Sequence, residues 1–228
     1  MAKGRRQRRG PAPTSRGIAA VILAAGASRR LGQCKALVDL DGETPLSRLA
    51  SAARELSNSK DESGTPPPLV VVGPHEQEIA AQLPPGCELL PNDNAQAGRT
   101  GGLQLAIARR RGFDLAVLPV DVPRVPGAVL RALAEAWRAQ GSPPMGWLAP
   151  RYQGQFGHPI LIGSALAERL ARFPADRPLS ELRAYADPLF SLECEAHEIL
   201  EDLDTPSDLA NLRALLAKHE DSLERESE

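Results

Sequence analysis

Three cations follow closely on an apolar run. Arg29, Arg30 and Lys35 stand just beyond the small-residue stretch Ala24-Ala25-Gly26-Ala27-Ser28. Small residues let backbone N–H groups close on an anion, and guanidinium and ammonium groups add charge, so the stretch suits a polyphosphate. Carboxylates appear at two later points. Asp121 follows the apolar run 114–119 and opens Asp121-Val122-Pro123, while Asp202 and Asp204 sit between an apolar segment and a helix start. Carboxylates brought by separate strand ends to a basic loop would hold Mg2+ through hard oxygen ligands. Each has a plainer use as well: aspartates cap helices, and arginines cover solvated surface. Neither common phosphate loop is present. There is no GxxxxGK[ST], and only Gly26 and Gly32 fall in the stretch, so GxGxxG is absent too.

These groups need a scaffold, and the hydrophobic pattern supplies one. Residues 18–23 form a continuous apolar, β-branched run, which predicts a strand buried on both faces. Thr44-Pro45 predicts a cap with proline at the first helical position, and Leu46, Leu49, Ala50, Ala53 and Leu56 repeat at helical spacing. Strands are expected at 69–72, 88–90 and 114–119, with helices at 76–83, 103–111 and 126–140 and a polar loop at 91–102. The alternation predicts an α/β fold: a three-layer, Rossmann-like, mostly parallel sheet with helices on both faces. Open sheets of this kind bind ligands beyond the carboxyl ends of their strands, where the first loop and Asp121 both fall. The second half predicts strands at 146–149, 160–162, 189–194 and 197–200 and helical segments at 164–172 and 179–186. The last helix starts at Thr205-Pro206-Ser207-Asp208, a near capping box, and ends about Lys218.

Composition is that of an ordinary globular chain of 228 residues, 42% hydrophobic and 25% charged, long enough for one substantial core. Residues 1–17 hold six bases and no acid; the rest of the chain holds 21 bases against 29 acids. We therefore expect a disordered basic arm over 1–16, a single domain over 17–216 and an acidic tail over 217–228. The arm reads as a solvated tail, and a nucleic-acid partner is not expected. The basic start followed by 18–27 has the outline of a signal peptide, but Arg29 and Arg30 interrupt it at once. No apolar run approaches 18 residues, so no membrane span is expected. Cys34, Cys87 and Cys194 show no CxxC or Cys/His ligand spacing. That argues against a disulfide framework or a zinc site and for the reducing cytoplasm.

Taken together, the motifs resemble those of the MobA-like NTP transferases, most closely the molybdenum cofactor cytidylyltransferases. The family's opening LAAGxSxRxGxxK is matched by Leu23 to Lys35, and its central loop of the type N-P-x-x-x-x-G-M-x-S-S-L is partly matched by Pro91 to Leu103. D-x-P, G-H-P and D-I-D-T-P-E-D-L correspond to Asp121-Val122-Pro123, Gly157-His158-Pro159 and 202–209. The resemblance implies that the backbone of Leu23, Ala24, Ala25 and Gly26 binds base and phosphates, with Asn92 and Gly98 contributing from the central loop. It implies that Arg30 and Lys35 stabilise the phosphates, that Asp121 holds Mg2+ with Asp204 or Asp202, and that His158 lies on the acceptor side or serves as a loop histidine. The implied reaction moves NMP from an NTP to a phosphorylated small molecule, molybdopterin among the candidates, and releases pyrophosphate. LAAG rather than LAGG favours CTP.

Three departures bear on the substrate: Gly101 and Gly102 occupy the usual paired serines, Arg99 replaces a small residue or methionine, and Phe156 replaces the basic residue before G-H-P. A sugar phosphate or other small phosphate is the alternative acceptor. A non-catalytic nucleotide-binding module is disfavoured by the presence of Arg30, Lys35, Asp121 and Asp204 together.

Overall fold

The computed structural model describes residues 17–57 and 65–226. The expected basic arm, part of the Pro-rich connection after Ser57 and the last two residues lie outside that range. Strand β1 (Ile18–Ala24) sits at the centre of the sheet, parallel to β2 (Leu69–Val72) on one side and β4 (Asp114–Pro119) on the other, with β3 (Glu88–Pro91) parallel beyond β2. Its side chains alternate strictly. Ile18, Ala20 and Ile22 enter one core with α1 (Pro45–Ala53) and α4 (Gly127–Ala139); Ala19 and Val21 enter another with α3 (Arg99–Arg109) and α5 (Ser164–Leu170). A central strand with apolar residues at every position must be covered on both faces, and here helices cover both. The mostly parallel three-layer fold is as expected.

Local chemistry explains most boundaries. Thr44 Oγ1 accepts from Ser47 N at 3.1 Å while Ser47 Oγ accepts from Thr44 N at 3.0 Å, a reciprocal cap that starts α1 at Pro45. Helix α2 (Glu76–Ala81) follows β2 closely. At the far side β7 (Ile160–Ile162) runs antiparallel to β4, and β5 (Trp147–Tyr152) pairs antiparallel with β7 and with β6 (Gln155–Phe156). The register slips by two residues between Leu148↔Leu161 and Arg151↔Phe156, so Gly157-His158-Pro159 bulges out of the ladder. There His158 N donates to Ile199 O at 3.0 Å. Strand β8 (Leu189–Glu193) lies parallel to β5.

Helix α6 (Pro206–Glu226) packs away from both main cores. Its Leu209 and Leu212 join Leu31, Val38, Leu40 and Leu203 in a separate small cluster. The Arg213 guanidinium donates to Asp39 O at 2.9 and 3.0 Å, clamping the helix to the segment after the first loop.

Four expectations are corrected. Helix α3 begins at Arg99, not 103, so Gly101 and Gly102 are helical. Glycine disfavours helix, but a Cβ on Gly102 would meet Asn92 Nδ2 and Val71 Cγ1 at 3.3 Å, so its absence lets the helix approach the sheet. Residues 197–200 form a 3-10 turn rather than a strand, because Ile199 alone is buried and its carbonyl serves His158. Residues 179–185 are likewise 3-10. The last helix passes Lys218 and reaches Glu226. Among the described residues, no helix is long and apolar enough to cross a membrane.

Candidate active site

The first loop is folded around one serine. Ser28 has a left-handed backbone (φ 49°), and its carbonyl accepts from Leu31 N and Gly32 N at 3.2 and 3.0 Å. Its hydroxyl accepts from Lys35 N at 3.1 Å. The chain therefore doubles back and returns Lys35 to the end of β1. A Cβ at Gly26 would touch nothing within 4 Å, so the chain's own packing does not demand glycine there; the space opens on a cavity.

The acids arrive from two other directions. Val120 N donates to Leu23 O at 3.1 Å, which carries β4 pairing one step past the strand and sets Asp121 beside the loop. Asp121 O in turn accepts from Leu203 N at 2.7 Å, tying down the segment that bears Asp202 and Asp204. On the other flank of that segment, Asp208 Oδ2 accepts from Asp204 N and Thr205 N at 3.0 and 2.7 Å, and Thr205 Oγ1 accepts from Asp208 N at 3.2 Å. This capping box halts the chain with Asp204 facing the cations.

Charge pairing is dense. Lys35 Nζ donates to Asp204 Oδ1 and Arg30 Nη2 to Asp204 Oδ2, the latter at 2.6 Å. Arg99 Nη2 donates to Asp121 Oδ2, also at 2.6 Å. The Lys35 hydrogen bond first, with the charges of Lys35 and Arg30, holds the Asp204 carboxyl below the usual carboxylate range. Asp202 moves the other way. Surrounding atoms raise it by shielding it from water, although much of the residue stays exposed, and the Asp121 and Asp204 charges raise it further. Three carboxylates thus share one field at the ends of two segments.

Asp121 and Asp204 border a cavity of about 260 Å³. Of the residues expected in the site, the cavity wall gathers Leu23, Ala24, Ala25, Gly26, Arg30, Lys35, Gly98, Asp121 and Asp204. Gly98 has φ 100° and ψ −177°, a conformation open only to glycine, and no side chain caps the helix α3 that it starts. Asp202 is outside the wall but within the field of Asp121 and Asp204. Asn92 is not brought to the cavity: it is buried under Gly102, and its Oδ1 accepts from Asn94 N at 3.1 Å. Arg29 is exposed and lines no part of this cavity.

A second cavity of about 450 Å³ adjoins the first, sharing Leu23, Gly98, Arg99 and Pro119 with it. His158 lines this one, with Trp147, Phe156 and Arg183. Guanidinium groups of Arg183 and Arg151 lie 4.8 and 5.4 Å from the Phe156 ring centre. Burial, and then the Arg99 charge, hold the His158 imidazole below its ordinary pKa. Its buried Nδ1 has no protein partner. Sequence reasoning missed two residues. Ser28 carried no signal beyond its small size. Arg99 stood out as a departure from the family pattern, and it is the charged side chain that touches both cavities.

The model of the MobA-like NTP transferase domain matches residues 20–191, stopping before Asp202, Asp204 and α6. Bifunctional protein GlmU of Sphingopyxis alaskensis is 32% identical over 157 residues, 66% of this chain and 33% of that protein. A probable molybdenum cofactor guanylyltransferase of Opitutus terrae is 31% identical over 124 residues, 53% of this chain and 56% of that one. The chain thus spans about a third and just over half of these curated relatives. Among solved structures, Rv0371c of Mycobacterium tuberculosis superposes with a TM-score of 0.73 at 25% identity, covering 88% of this chain and 99% of that one. A further structure of Rv0371c is a complex with manganese, at a TM-score of 0.69 and 22% identity, covering 87% of this chain and 98% of that one. With a match over residues 20–191, most of its length, the chain belongs to the MobA-like NTP transferase domain family.

Proposed function

We propose that the protein transfers NMP from an NTP, CTP by preference, to a phosphorylated small molecule and releases pyrophosphate. The observation that carries this reading is the pair of adjoining cavities. One has Arg30 and Lys35 at its wall, the other has no such loop, and Arg99 belongs to both. One compartment suits the nucleotide, the other the acceptor.

In the reaction a phosphate oxygen of the acceptor bonds to the α-phosphorus as the bond to the bridging oxygen breaks, leaving pyrophosphate and a new phosphoanhydride. The attacking oxygen is already anionic near neutral pH, so no general base is needed, and catalysis rests on alignment and charge. The Leu23–Gly26 backbone and the uncapped start of α3 offer N–H groups to the nucleotide. Lys35, with its side chain only 13% exposed, is a fixed cation; Arg30, 69% exposed, can turn from Asp204 to the leaving phosphates. Arg99 would hold the acceptor phosphate at the junction.

Asp121, Asp204 and Asp202 are all oxygen donors, a set that fits a hard divalent cation such as Mg2+. When bound, such an ion would offset the charge of the phosphates. The manganese complex of Rv0371c supports a divalent ion here. Molybdopterin as acceptor is supported by the likeness to a probable guanylyltransferase. A sugar phosphate is the second reading, favoured by Phe156 in the place of a basic residue. The cysteines, none disulfide-bonded among the described residues, fit a cytoplasmic setting.

Pyrophosphate release should be measured with each NTP, Mg2+ or Mn2+, and a panel containing molybdopterin and sugar phosphates. Release with CTP and one acceptor is the expected result. Tight nucleotide binding with no release under any acceptor would overturn transfer in favour of a binding module.

A further inference from the structure

The spacing of the cysteines argued against a zinc site, because Cys34 has no histidine or cysteine near it in the chain. The fold supplies what spacing does not. Parallel strands β1 and β2 lie side by side, so the loops beyond their carboxyl ends meet. They meet closely: a Cβ on Gly73 would stand 2.5 Å from the Ala25 carbonyl oxygen. Cys34 ends the first loop, while His75 and Glu78 start α2, and a ligand atom from each of the three lies within 4.8 Å of the others.

The details are those of a ligand set. Cys34 is buried and His75 mostly so, whereas the Glu78 side chain is 60% exposed and free to turn. His75 Nδ1 and Glu78 Oε1 are 2.9 Å apart, so the carboxylate already lies beside the imidazole. His75 Nε2 is fully shielded from solvent and has no hydrogen-bond partner in the protein. A buried polar atom left in that state calls for an explanation, and an ion or water is one. Donor atoms around a tetrahedral zinc stand about 3.5 Å apart given bonds of about 2.0–2.3 Å. Rotation of the exposed Glu78 side chain, with small shifts of the other two, would contract the cluster to that spacing. Burial, with the Glu78 charge, pushes the Cys34 thiol pKa up, and binding, which takes the thiolate, would release a proton to solvent.

We propose that Cys34, His75 and Glu78 form a site for a borderline-soft divalent cation of the zinc type, with water as the fourth ligand. The site is separate from the all-oxygen set of Asp121, Asp202 and Asp204. It also abuts the machinery, since Cys34 lines the first cavity and is followed directly by Lys35. An ion there would pin the end of the phosphate loop to α2.

The test uses Co2+ added to the full-length, metal-free protein, read by absorption. One equivalent should give a thiolate-to-cobalt charge-transfer band that Zn2+ abolishes. The band should vanish in Cys34→Ser and persist in Cys87→Ser, Cys194→Ser and Asp121→Asn. Glu78→Gln alters an exposed side chain and keeps the fold intact; it should weaken Co2+ binding about tenfold or more, as loss of a ligand does. No charge-transfer band in the wild-type protein, or a band that survives Cys34→Ser, overturns the site. Unchanged Co2+ affinity in Glu78→Gln removes Glu78 from it.

Discussion

Lys35→Ala isolates the most confined charge in the first cavity. The Lys35 side chain is 13% exposed, and its ammonium is held by Asp204 on a loop anchored through Ser28. At about 4 Å from a phosphate charge and an effective dielectric near 20, such a cation contributes about 4 kcal/mol. Loss of one preorganised donor costs about 10²–10³ in kcat, which is the same order. We expect kcat for pyrophosphate release, at saturating nucleotide and acceptor, to fall by about that factor. Arg30→Ala should cost less, about tenfold, because water already screens its exposed guanidinium.

The same substitution acts on Asp204. Its folded pKa lies below the unfolded value of about 4, so its stabilisation is present above that value and lost as pH falls through the folded pKa. Without Lys35 the acid loss of stability should be shallower, because Asp204 then has less to lose, while Arg30 remains its partner. Thermal unfolding across the acid range checks this. Turnover within a few fold of wild type in both Lys35→Ala and Arg30→Ala would refute the electrostatic reasoning.

Gly98→Ala places a side chain at φ 100°, ψ −177°, which should cost about 1–3 kcal/mol in denaturant unfolding and raise KM for the nucleotide at the start of α3. Leu203→Ala removes a fully buried side chain from the small third cluster and should cost about 2–5 kcal/mol by the same assay; kcat should fall as well, because that side chain anchors the segment that carries Asp204. For His158 the folded pKa lies below the unfolded value of about 6.5, so the unfolded chain takes up the proton first and stability falls as pH drops below that value. His158→Gln should flatten the Tm profile across that range, and a profile unchanged from wild type would remove His158 as its cause.

Much of this was legible because local chemistry and global packing agree. The run at 18–23 predicted a strand covered on both faces, and Thr44-Pro45 predicted a helix start; both are found. Lys35 and Asp204 are 169 residues apart, yet the family pattern linked them before any distance was known. The misses share a different cause. The start of α3 was hidden because Gly101 and Gly102 weaken a helix locally while serving its contact with Asn92 and Val71. The turn at 197–200 is decided by a backbone bond to His158, invisible to any periodicity. Cys34 and His75 meet through strand register, and nothing in the spacing along the chain reports register. Asn92 looked like a ligand group because it is polar and in the right loop, but burial turned it to its own backbone.

The small third cluster carries one more consequence. Leu31, Val38, Leu40, Leu203, Leu209 and Leu212 form a core of their own, apart from the two that flank the sheet. Six leucine and valine side chains cannot match the cooperativity of those larger cores, so this corner should open before the sheet does. Opening it would carry Asp204 away from Lys35 and Arg30 while β1, β2 and β4 stayed paired. Amide exchange should then be faster at the start of α6 than in the central strands. On warming, turnover should be lost while the sheet still gives a folded signal. Activity and global melting would report two different transitions in one domain.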